Sequence, residues 1–251
     1  IEAFSPVVWY KSGYPTEIKT HRELSRVHDF MKTNKYIELL AVLGNPIDIY
    51  EINHIKNIAE KMLAFSKDII GIKSVARKGL IAALHYYRII SQRTKDLDDI
   101  NVLELGPGCG YLPVILMHMN QSINYKAVEI TQSLWLYQEV LWNYFSKEMA
   151  LEKDIINQPS HLPYWHVPSL RHNLPLANVI VANHCMAEMS SQALICYAKR
   201  ILGNWRSKGI SNGRWIAQNL GHKNISELEV MSIMDKVGFE LIEHSIGNSK
   251  F

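Results

Sequence analysis

Val102-Leu103-Glu104-Leu105-Gly106-Pro107-Gly108-Cys109-Gly110 is the stretch whose reading decides the fold. A short apolar run enters three glycines at alternate positions. Tyr111 to Asn120 then continues as an apolar, helix-compatible segment with Pro113 in its first turn, where a missing N–H costs little. The pattern predicts strand, tight loop, helix. Glycines at 106, 108 and 110 allow positive φ and let a ligand approach bare N–H groups, reinforced by the positive end of the following helix. A P-loop would end in Gly-Lys-Ser/Thr, and Gly110-Tyr111-Leu112 stands there instead. A dinucleotide fingerprint would place its third glycine at Tyr111, so NAD is disfavoured.

What remains, acidic-x-G-x-G-x-G, resembles motif I of the class I S-adenosylmethionine-dependent methyltransferases. The resemblance implies an α/β fold with a doubly wound, mostly parallel, Rossmann-like sheet, and S-adenosyl-L-methionine as cofactor. It also implies Glu104 facing the methionine ammonium and Gly106, Gly108 and Gly110 passing beneath the cofactor. A second acid tests this. Doubly wound sheets place a carboxylate at the end of the second strand, roughly 20 residues on, to bind the ribose hydroxyls. Tyr125 to Ile130 reads as that strand, and Glu129 lies 19 residues after Gly110 (129 − 110). Its two acceptor oxygens suit a vicinal diol. Ile130 beside it joins the expected cofactor-binding set.

The 251 residues, 47% hydrophobic and 20% charged, suffice for one sizeable domain with an appendage. A net charge of +3 without Lys/Arg runs longer than two gives no electrostatic case for nucleic acid. The cysteines, Cys109, Cys185 and Cys196, form no metal-type pair and read as small buried residues of a reducing compartment, hence a cytoplasmic protein. No apolar run approaches the length of about 18 residues that spans a bilayer. The chain begins at Ile1 rather than Met, so a start, with any targeting information, is expected to lie outside this sequence.

In chain order, residues 1–15 read as an irregular aromatic arm acting as a clasp or as a lid over the acceptor site. Apolar residues at helical spacing follow over Thr16 to Leu43, Tyr50 to Ser66 and Ser74 to Gln92. Residues 1–95 are therefore expected to form an arm and helical cap, and 96–251 the cofactor-binding core. Strand Ile100 to Leu105, helix Tyr111 to Met119, strand Tyr125 to Ile130 and helix Thr131 to Lys147 open that core. The third strand is expected near Asp154 to Asn157. Asn178 to Asn183 reads as a buried strand, and Ser190 or Ser191 caps a helix reaching Trp205. Strand Arg214 to Asn219 precedes a helix from Ser226, with Glu229 completing a capping box and Gly238 ending it. Phe239 to Ser245 reads as a closing strand. Ile246 to Phe251 are too few for the usual antiparallel seventh strand, so the chain is expected to stop short or that edge to be capped differently.

The residues after the fourth strand usually meet the methyl acceptor. Asn183-His184-Cys185-Met186-Ala187-Glu188-Met189 lacks the Asn/Asp-Pro-Pro-aromatic signature of nucleobase amine methylation and the acidic cluster of metal-dependent catechol enzymes. No metal is expected. Leu103 to Tyr111, Val128-Glu129-Ile130-Thr131-Gln132 with Leu134-Trp135-Leu136, Pro163-Tyr164-Trp165 and Ala182-Asn183-His184 with Glu188-Met189 together resemble the sugar O-methyltransferase family. Cys185, Ala187 and Tyr164 depart from its pattern. The resemblance implies a small-molecule acceptor, a sugar, whose hydroxyl needs a base for attack on a sulfonium methyl. His184 is the candidate base, and Glu188 would orient it or bind a second hydroxyl. Asn183 and Trp165 join the cofactor-binding set, Trp165 with Tyr164 and His166 holding the adenine or stacking on a sugar face.

Overall fold

The computed structural model describes residues 17–30, 48–119, 123–150, 160–161, 174–183, 185–218 and 224–242. Its strands are β1 (Ile100–Leu105), β2 (Ile123–Val128), β3 (Ser160–His161), β4 (Val179–Asn183) and β5 (Arg214–Gln218). They lie in the order β3-β2-β1-β4-β5, and every adjacent pair is parallel. The chain moves outward from β1 to β3, then returns to β4 on the other side of β1. Such a reversal opens a crevice at the carboxyl ends of β1 and β4. The expected doubly wound, Rossmann-like α/β fold is the fold observed.

Both faces of the sheet are covered, because parallel strands cannot leave one side wet. Alternation assigns the residues. Val102, Tyr125, Ala127, Val179 and Val181 point to one face, where they share an interior with Leu24, Ile58, Tyr86, Ile115 and Tyr137. These come from α1 (Leu24–Phe30), α2 (Ile49–Phe65), α3 (Arg77–Arg93), α4 (Tyr111–His118) and α5 (Gln132–Ala150). Leu103, Leu105, Val128, Ile180 and Ala182 point to the other face. They meet Leu194 and Ile201 of α7 (Ser191–Lys208) and Val230 of α8 (Glu227–Val237). The short α6 (Cys185–Glu188) follows β4 directly. The amino-terminal helices and the sheet thus share one hydrophobic interior.

Local chemistry fixes the helix ends. Ser190 caps α7, its hydroxyl accepting from the Ala193 N–H at 3.1 Å, and Ser226 caps α8 by accepting from Glu229 N–H at 3.2 Å. The Glu229 carboxylate accepts from the Ser191 hydroxyl at 2.7 Å, so it ties α8 to α7 rather than closing the expected capping box. Gly238 ends α8 at φ 108°.

Two expectations need correction and a third falls outside the described residues. The third strand pairs with β2 at Ser160 and His161, while 154–157 lie outside the described residues. β2 runs from Ile123, so it ends at Val128, before Glu129. Residues 239–242 form no strand; Phe239 instead packs edge-on against Trp205 and Trp215, with ring centroids 5.6 and 5.3 Å away. A strand is defined by its hydrogen-bonded neighbour, and among the described residues this segment has none. The arm at 1–15 and residues 246–251 lie outside the described residues.

Candidate active site

The register of β1 and β2 brings the two acids together. Leu105 pairs with Val128, and the Gly106 N–H continues the ladder onto the Val128 carbonyl at 2.9 Å. Glu129, one residue further, therefore sits beside the entry to the glycine loop. Gly106, Gly108 and Gly110 all take positive φ, at 65°, 60° and 68°. At Gly110 the requirement is double, since an added Cβ would also lie 2.8 Å from Gln138 Cγ and 2.9 Å from Trp142 Nε1. The loop is held from α5. Gln138 donates from Nε2 to the Gly108 carbonyl at 2.6 Å and to Glu129 Oε2 at 3.2 Å, while Trp142 Nε1–H donates to the Gly110 carbonyl at 2.7 Å. Glu129 Oε1 accepts from the Thr131 N–H at 2.9 Å. One amide thus joins the loop to the second acid.

Glu104 is fixed differently. Its Oε2 accepts a hydrogen bond from the Tyr125 hydroxyl of the neighbouring strand. Both acids are buried, and burial raises the Glu104 carboxyl to about 7, with Tyr125 opposing and the charge of Glu129 adding to the rise. Burial likewise raises Glu129 to about 7, against the hydrogen bonds from Thr131 and Gln138. Two buried carboxyls beside a positive-φ glycine loop suit a ligand that brings a positive charge and a diol.

The other strand ends complete the edge. Asn183 pairs with Gln218 at the carboxyl ends of β4 and β5, and alternation turns both toward the face that carries Glu104. Asn183 Oδ1 is buried without a hydrogen-bond partner. Cys185 lies against Gly106, where an added Cβ would meet the Cys185 Cβ at 3.0 Å, and its thiol donates to the Leu105 carbonyl at 2.9 Å. Glu188 ends α6 half-buried and bears electrostatically on Cys185.

Of the residues singled out from sequence, Glu104, Gly106, Gly108, Gly110, Glu129, Ile130 and Asn183 lie along this one carboxyl edge. His184, Trp165, Tyr164 and His166 lie outside the described residues. Gln138 and Trp142, within the helix read over Thr131 to Lys147, and Tyr125, within the strand read from it, were not singled out from sequence. Gln138 carried a signal, being the one amide within an apolar helical stripe of Leu134, Trp135, Leu141, Trp142 and Phe145. A polar group on a buried stripe needs a partner, and here the partners are the loop and Glu129. Among the described residues no cluster of His, Cys, Asp or Glu could hold a metal, and no helix is long and apolar enough to cross a membrane.

No family model matches the sequence, and no curated protein matches it. Among solved structures, the chain is similar to magnesium protoporphyrin IX methyltransferase from Synechocystis PCC 6803 with bound SAM. The identity is 13% over 93% of each chain, with a TM-score of 0.45. It is also similar to PigF with SAH, at 12% identity over 75% of this chain and 64% of that chain, TM-score 0.39. Both likenesses are distant, and the chemistry assigned below rests on the residues of the site.

Proposed function

We propose that this chain is an S-adenosyl-L-methionine-dependent O-methyltransferase whose acceptor is a hydroxyl of a sugar or sugar-containing metabolite. The observation that carries the cofactor reading is the pair of buried carboxyls, Glu104 and Glu129, held on either side of the positive-φ glycine loop at the carboxyl edge of a parallel sheet. Glu129 would accept the ribose hydroxyls, kept in place by Gln138 and the Thr131 N–H. Glu104 would face the ammonium, oriented by Tyr125. When bound, the cofactor supplies an electrophilic methyl on sulfonium sulfur.

The acceptor reading rests on the residues after β4. Asn183, of the cofactor-binding set, ends β4 immediately before that segment. His184 follows it in sequence and is the proposed base that takes the acceptor hydroxyl's proton, a contribution of roughly 10² to 10⁴ in rate. Glu188 is the proposed group that orients His184 or binds a second hydroxyl.

The test is transfer of a labelled methyl group from S-adenosylmethionine into a host extract fractionated into carbohydrate, protein, RNA and small-molecule pools. Label in carbohydrate or nucleotide-sugar is the expected result. Label in protein or RNA would replace the acceptor class while keeping the cofactor. No label in any pool would favour a cofactor-binding subunit without catalysis. With the acceptor in hand, His184→Ala is expected to lose turnover and keep cofactor affinity, whereas unchanged turnover removes His184 as the base.

A further inference from the structure

Tyr86 belongs to α3, outside the strand-and-loop machinery described above, yet its hydroxyl ends in the middle of that machinery. The side chain is 1% exposed and the hydroxyl has no hydrogen-bond partner. Its electrostatic neighbours are Cys185 and Glu104, and the Gln218 backbone lies close by without completing a hydrogen bond. The hydroxyl therefore sits where β1, β4 and β5 end. α3 comes this close because Gly79, one turn into the helix, rests on the loop. A Cβ there would lie 3.1 Å from the Tyr111 ring and 3.2 Å from Cys109 Cβ.

An isolated buried hydroxyl costs about 1–3 kcal/mol, so a protein keeps one where something else satisfies it. Tyr86 is not alone in this. Asn183 Oδ1 at the end of β4 is a second buried, unpartnered polar atom. Among the described residues Glu104 accepts only from Tyr125, leaving its second oxygen unbonded. The edge thus offers two acceptors, Glu104 and Asn183 Oδ1, and one donor, the Tyr86 O–H. An α-amino acid zwitterion is the complement of that set, with ammonium N–H groups for the acceptors and a carboxylate for the donor.

Resting on the cofactor reading above, we infer that the α3 residue Tyr86, with Asn183, binds the amino-acid end of the cofactor, Tyr86 donating to its carboxylate and Asn183 Oδ1 accepting from its ammonium. The helical extension then contributes a binding group of its own.

Two probes separate the ends of the ligand. S-Adenosylhomocysteine carries the amino-acid group, while 5′-methylthioadenosine keeps the adenosine and thioether and lacks it. Titration calorimetry with both is expected to show Tyr86→Phe and Asn183→Ala weakening S-adenosylhomocysteine roughly 10-fold or more, as for a hydrogen bond to a charged group, with 5′-methylthioadenosine unchanged. Tyr86→Phe removes only an unpartnered oxygen, so its melting temperature is expected to stay at or above the parent value. S-Adenosylhomocysteine affinity within twofold of the parent in Tyr86→Phe would overturn the inference. So would an equal loss for both probes, which would mean that Tyr86 acts through the shape of the crevice. If the parent chain binds neither probe, the cofactor reading itself fails and the inference falls with it.

Discussion

At the residue scale, the acid at the end of β1 has a measurable consequence. Glu104 titrates near 7 in the folded chain because burial penalises its charge, against an ordinary value of 4.5. The folded state therefore holds a proton that the unfolded state has lost between these two values. Unfolding free energy must fall as pH rises across that window, by up to about 1.4 kcal/mol per pH unit for one extra proton. Glu129 acts in the same direction. Melting of the ligand-free chain between about pH 5 and about pH 8 is expected to show a falling Tm, and Glu104→Gln a shallower fall. Equal slopes would remove Glu104 as a source. The position of the acids at the sheet edge was legible in sequence because their spacing from the glycines is a property of one loop and one strand. Gln138 was not, since a long-range hydrogen bond leaves no local periodicity; only its polarity on an apolar stripe marked it. Tyr86 was hidden for the same reason, as a tyrosine on a helix reads as packing until its hydroxyl is seen without a partner.

At the element scale, the turn from β1 to α4 carries the site and tolerates little. Gly110→Ala places a side chain at φ 68° and within 2.8 Å of Gln138 Cγ. Strain and overpacking together are expected to cost about 2–4 kcal/mol, read as a lower urea midpoint with an unchanged slope. An Ala variant as stable as the parent would mean that the loop can move off α5. Elements buried on both sides were the easiest to recognise. β1 is apolar at four of its six positions, and β4, read from Asn178, emerges one residue later at Val179. β3 was not read at Ser160 and His161 because two described residues at the sheet edge are too few for any alternation to be visible. The segment after α8 misled in the opposite way. Phe239, Leu241 and Ile242 have the composition of a strand, but composition supplies no partner, and Leu241 and Ile242 are left largely exposed.

At the scale of the whole molecule, the amino-terminal helices are fastened to the core by polar contacts as well as by packing. Ile18 exchanges two hydrogen bonds with the Gln132 side chain at the start of α5, at 2.9 and 3.2 Å. Deeper, Tyr111, Tyr137, His28 and Ser74 form a buried chain of polar contacts at 3.2–3.3 Å, reaching from the residue after the glycine loop to the first helices. Helices and sheet should therefore melt together. Far-ultraviolet and near-ultraviolet circular dichroism are expected to give coincident unfolding curves, and two separated transitions would show that the extension folds on its own. The sequence implied a helical cap over a core; that both would line a single interior was not visible, because helical periodicity says which face is buried and not against what. The indole of Trp142 offers a last consequence, an optical one. Buried, edge-on to Tyr125 and donating to the Gly110 carbonyl, it lies in the electric field of the glycine loop. Indole emission shifts colour with such a field, so under the proposed cofactor reading a cationic sulfonium and its neutral thioether product would tint the same tryptophan differently, an unlabelled gauge that tests the reading.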